Sequence, residues 1–100
     1  MLTAKQERSM PHVAPWYRRE DYPRIRAIMQ DGARFPSTFG EWEKTAKKQI
    51  DAAAVQGVVI KPVIIHPDEF VAYCNEKKLS RGSKGRSRFA ITLAEAKGND

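Results

Sequence analysis

From Tyr22 to Gly57 apolar residues recur every three or four positions, the period of helices lying on a core. Tyr22, Ile25, Ile28 and Met29 share one face of a first helix in "PWYRREDYPRIRAIMQDG". Asp21 is placed to cap it, Pro23 fits the first turn where its missing N–H costs nothing, and Gly32 stands just past the end. After the connector "ARFPS" comes a second helix. Thr38 and Glu41 form a T-x-x-E capping box, and Phe39, Trp42, Ala46, Ile50 and Ala53 make the apolar stripe. Glu43, Lys44, Lys47, Lys48 and Asp51 lie mainly off that stripe, and Gly57 closes the helix.

The period then changes. In "GVVIKPVIIHP" Val58, Ile60, Pro62 and Ile64 alternate with Val59, Lys61, Val63 and Ile65. Both sets are largely apolar, which predicts a strand covered on both faces. Pro62 cannot donate to a ladder, so one side of the strand beside it should be an edge. "HPDEFVAYCNEKKL" returns to helical spacing, with Asp68 and Glu69 at the positive end of the dipole and Phe70, Val71, Cys74 and Leu79 facing inward. The last segment, "RFAITLAEA", fits two patterns. Phe89, Leu93 and Ala96 share a helical face, and Phe89, Ile91 and Leu93 also alternate as in a strand; the Ala-Glu-Ala-Lys ending favours helix.

The fold class that results is α+β, mostly helical, in the order α-α-β-α-α with one central strand. The alternative makes residues 88–94 a strand and gives a parallel β-α-β unit. Residues 1–15, aperiodic and containing Pro11 and Pro15, read as a mobile arm, residues 16–97 as one small globular domain, and residues 98–100 as a tail. A lone strand has unpaired backbone groups. With the last segment helical, its partner would have to come from a second subunit, so the pattern predicts a homodimer paired through Val58, Val59, Ile60, Lys61, Val63, Ile64 and Ile65.

Strand, helix, basic segment and helix in residues 58–97 resemble, in element order, a ribbon-helix-helix module, the fold of many small bacterial repressors and antitoxins. That resemblance implies a paired ribbon presenting polar side chains to DNA bases. Here the ribbon offers only Lys61, beside Val59, Pro62, Val63 and Ile65, a departure from the pattern. Separately, "WYRREDYPRI", "FPSTFGEWEK" and "VIIHPDEFVAYC" resemble runs in a set of short uncharacterised bacterial proteins. This second resemblance covers residues 16–75 and implies no activity.

Charge adds what the pattern leaves out. The 100-residue chain carries +6, and "KKLSRGSKGRSR", residues 77–88, holds six bases and no acid. The rest is balanced, so the whole excess sits in that window, which points to an anionic partner: DNA, RNA or an acidic protein surface. The candidate contacts are Lys77, Lys78, Arg81, Lys84, Arg86 and Arg88, with Gly82 and Gly85 freeing a loop to fold its N–H groups around phosphate and Ser80, Ser83 and Ser87 as donors. The bland reading is a solvated basic loop. "YRREDYPRIR" also interleaves aromatics with arginine, but Glu20, Asp21 and the inward Tyr22 favour core plus surface ion pairs.

Chemistry is sparse. Cys74 lies on an apolar face with its nearest possible base, His66, eight residues away, and His12, His66 and Cys74 lack zinc spacing. No catalytic residue, metal or cofactor is expected. The longest apolar runs fall far short of a membrane span, "MLTAKQERSM" lacks the apolar stretch of a secretory signal, and a single cysteine excludes an internal disulfide; a reducing cytoplasm is expected. The sequence thus predicts a non-enzymatic, nucleic-acid-associated regulatory module, or else a protein-interaction module.

Overall fold

The strand finds its partner inside the chain, in the segment that reads as an arm. The computed structural model describes residues 12–98, with side chains to residue 96; residues 1–11 of the expected arm and tail residues 99 and 100 lie outside the described residues. Strand β1, Val13–Trp16, pairs in parallel with β2, Lys61–Ile64, in the register Val13 to Lys61 through Trp16 to Ile64. Between and after them run four α-helices: α1 (Tyr22–Ile28), α2 (Phe39–Val55), α3 (Pro67–Lys77) and α4 (Ser83–Gly98). The class is α+β and mostly helical. The order gains a first strand, and residues 88–94 are helical.

The register explains why a proline-bearing segment is a strand at all. The Lys61 N–H donates to the His12 carbonyl at 2.8 Å and the Ile65 N–H to the Trp16 carbonyl at 2.9 Å. Alternate residues of each strand therefore turn their backbone groups inward, while Pro15 and Pro62 turn theirs to the two outer edges, where a missing N–H breaks no bond. An intersubunit ribbon through Val58–Ile65 is therefore not needed to satisfy β2, and the edge it would use is blunted by Pro62. Val58, Val59 and Ile60 precede the strand instead of belonging to it, and Val59 is 79% exposed.

Nor is the ribbon covered on both faces. Val63 and Ile65 are buried, whereas Pro62 and Ile64 face outward, with Ile64 37% exposed. Two strands make too narrow a platform for two full helical layers. The core gathers on one side: Tyr22 and Ile25 from α1, Met29 just past its end, Phe70 and Cys74 from α3, Phe89 and Ala90 from α4, with Tyr17 between. Each fully buried large side chain among them contributes about 1.5–3 kcal/mol of burial.

The ends of the helices show which local rules operate. Thr38 accepts the Glu41 N–H at 3.2 Å, the first half of the capping box. Asp21 occupies the cap position of α1, but its carboxylate accepts from the Arg18 Nε at 2.8 Å instead of capping. Gly57 lies at φ +82° beyond α2, and Lys78 takes the same left-handed role after α3 at φ +57°. Gly32 stands in a 3-10 turn after α1, pressed so close to the Arg26 carbonyl that any Cβ would collide with it.

Candidate nucleic-acid interface

The expected basic loop is much shorter than the charge window. Lys77 ends α3, Lys78 caps it, and by Ser83 the chain is helical again, so Lys84, Arg86 and Arg88 stand on α4. The intervening turn is held by three backbone hydrogen bonds. The Leu79 N–H donates to the Cys74 carbonyl at 2.9 Å, the Gln30 N–H to the Arg81 carbonyl at 2.8 Å, and the Arg86 N–H to the Gly82 carbonyl at 3.0 Å. Gly85 is buried in α4, where an added Cβ would lie 2.6 Å from the Ser80 carbonyl oxygen. Its role is close approach of helix and turn, not the freedom of a phosphate-wrapping loop.

Two of the six bases are committed to the fold. Arg81 donates from Nε to the Ile28 carbonyl at 2.6 Å, tying the turn to the end of α1. Arg86 turns inward, its side chain 14% exposed, and grips both oxygens of Asp31 at 2.7 and 3.1 Å with its guanidinium over the Phe35 ring. That hydrogen bonding holds the Asp31 carboxyl below the ordinary carboxylate range, desolvation opposing it only in part. Beside this pair burial pushes the Tyr17 phenol well up, although the Arg86 charge pulls it back somewhat, so Tyr17 stays protonated.

The other four are exposed. Among the described residues Lys77, Lys78, Lys84 and Arg88 enter no ion pair, although the chain pairs Arg18 with Glu20 and Asp21, Arg24 with Asp68, and Lys47 with Glu43. Lys84 and Arg88 also stand in the first two turns of α4, with no acid in its first turn. Lys84, in the first turn, opposes the helix dipole at a cost of about 0.3–1 kcal/mol, which an anion at that end would relieve. The positions Lys84, Ser87, Arg88, Ile91, Thr92 and Glu95 are all exposed and recur at three- and four-residue spacing. Reading the window only for its charge leaves out Ile91 and Thr92; helical spacing is the signal that adds them.

"YRREDYPRIR" contributes core and surface pairs. Tyr17 and Tyr22 are buried, the Tyr22 hydroxyl donating to the Pro36 carbonyl at 2.7 Å, and Arg19 stacks over Phe39. Trp16 and Trp42 meet edge to face at 4.7 Å, fastening β1 to α2. Beside them a groove of about 270 Å³ opens between β1 and α2, lined by Trp16, Trp42, Ala46, Ile50, Ile60 and Arg86 among others. Cys74 is buried against the Ser80 carbonyl and desolvation raises its thiol, the opposite of an activated nucleophile. Among the described residues no helix is long and apolar enough to cross a membrane. No family model, curated protein or solved structure matches the chain, so the interface is read from its own residues.

Proposed function

We propose that this protein is a non-enzymatic, nucleic-acid-associated module that binds phosphates through the turn between α3 and α4. One observation carries the reading: Lys77, Lys78, Lys84 and Arg88 flank that turn and none is spent on an acid of the described chain. The mechanism is charge neutralisation with release of counterions. Arg86 supports the surface from below, and Arg81, itself exposed, ties the turn to α1 through its Nε. A second reading, an interaction module docking an acidic protein surface, draws on the same cations and on Ile91, 39% exposed among them.

The test is a salt titration of binding to a labelled nucleic acid, read by fluorescence anisotropy. With four phosphate contacts, a fourfold rise in salt should weaken binding about a hundredfold. Replacing Lys77, Lys78, Lys84 and Arg88 together by alanine should abolish binding while circular dichroism and the melting temperature hold. Absence of binding at low salt, or the same affinity in the quadruple variant, overturns the proposal.

A further inference from the structure

The exposed side of α4 is a face rather than a scatter of charges. Lys84, Ser87, Arg88, Ile91 and Thr92 lie along one stripe, while Gly85, Phe89 and Ala90 are buried on the opposite side and anchor the helix. The stripe meets no acid until Glu95. From Lys84 to Thr92 the stripe is about 12 Å long at 1.5 Å per residue. A major groove of B-form DNA is about 12 Å wide and admits one α-helix, whereas the corresponding groove of A-form RNA is too narrow.

The chemistry of the stripe suits base edges. Arg88 has the fork that pairs with a guanine, Ser87 donates or accepts, and Ile91 offers an apolar contact for a thymine methyl. Lys77 and Lys78, on the other side of the turn, are in reach only of backbone phosphate in such a pose. The aromatic residues that single strands need for stacking are absent from this stripe. Phe89 is buried, and Tyr73, whose hydroxyl lies 3.4 Å from Thr92 Oγ1 at the stripe's edge, is held with its ring packed on Phe89 at 4.7 Å between ring centres. A second observation points the same way: the turn is pinned by Arg81 to Ile28, by Gln30 to Arg81 and by Gly85 against Ser80. A surface fixed before binding loses little freedom on docking a regular duplex.

We infer that the nucleic acid is double-stranded DNA and that the exposed face of α4 enters its major groove, an inference that rests on the proposed function above. Arg88 then reads bases in place of a phosphate, and Lys77 is among the three cations left to hold phosphates.

The experiment is binding by the whole chain to duplexes selected from a random pool, to the same sequences as single strands, and to matching RNA duplexes. Selected DNA duplexes should bind at least about tenfold tighter than either alternative. Arg88→Ala and Arg88→Lys should both lower the preference for a selected over a scrambled duplex by about tenfold, because lysine keeps the charge and loses the fork. Lys77→Ala should weaken all duplexes equally. Preference for single strands or RNA, or an Arg88→Lys variant with unchanged selectivity, overturns the inference and leaves phosphate binding standing; absence of binding to every probe overturns both. Both positions are exposed, and an unchanged melting temperature confirms that the three variants fold.

Discussion

The two longest helices, α2 and α4, are of almost equal length and sit in the molecule in opposite ways. α2 has the cleaner amphipathic stripe and a proper capping box, yet none of its seventeen residues is buried. Its contacts concentrate at one end, where Phe39 and Trp42 meet Tyr22, Tyr17 and Trp16. Toward its other end the stripe overlooks the groove, and Val55 is 82% exposed. α4 has a weaker stripe but seats Gly85, Phe89 and Ala90 against α3 and the ribbon. Amphipathicity states which face seeks cover; the placement of neighbours decides how much cover it receives.

The contrast is most easily broken by truncating one side chain from each helix. Phe89→Ala on α4 should cost about 3–4 kcal/mol, and Ile50→Ala on α2 less than about 1 kcal/mol, because a half-covered site leaves no enclosed cavity. Denaturant unfolding measures both, and similar losses would mean that α2 is seated as firmly as α4.

A smaller effect tests what holds α4 to the connector after α1. Arg86→Ala removes a largely buried pair and a cation over Phe35 and should cost about 2–3 kcal/mol. The pH dependence has a definite sign. The Asp31 carboxyl lies lower in the folded chain than in the unfolded one, so its contribution is complete above the ordinary carboxylate pKa of 3.8 and is lost as pH falls through the folded value. Asp31→Asn should flatten that acid limb of the stability curve, measured by melting at stepped pH. A limb of unchanged slope would assign the acid sensitivity elsewhere.

The smallest effect concerns the turn that presents the basic face. Lys78 pays about 1–2 kcal/mol for a left-handed backbone, part of which glycine would give back through a more flexible unfolded chain. Lys78→Gly should stabilise the protein by under about 1 kcal/mol, read as a rise in melting temperature, while removing one of the proposed phosphate contacts. A loss of stability would mean that the lysine side chain itself packs on the turn.

Helix positions were legible because they follow local rules. Thr38 with Glu41, Pro67 and Gly57 mark ends, and the inward faces Tyr22, Ile25 and Met29, or Phe70 and Cys74, show in the 3.6-residue period. Strand β1 was hidden, since four residues with a proline carry almost no periodic signal. The dual purpose of the basic window was hidden too. Nothing local separates Arg86, bound to Asp31 fifty-five residues away, from Lys84 and Arg88 on the other side of the same helix.

By itself the sequence determined the first three helices, the edge marked by Pro62 and the confinement of excess charge to residues 77–88, because propensity, proline geometry and formal charge reside in neighbouring residues; it left residues 88–94 open between helix and strand. Only the tertiary structure decided that β1 completes the ribbon, that α2 remains half-covered, and that two of six cations serve the fold. Those outcomes depend on which distant groups meet, and pairing across forty or more residues leaves no trace in local spacing.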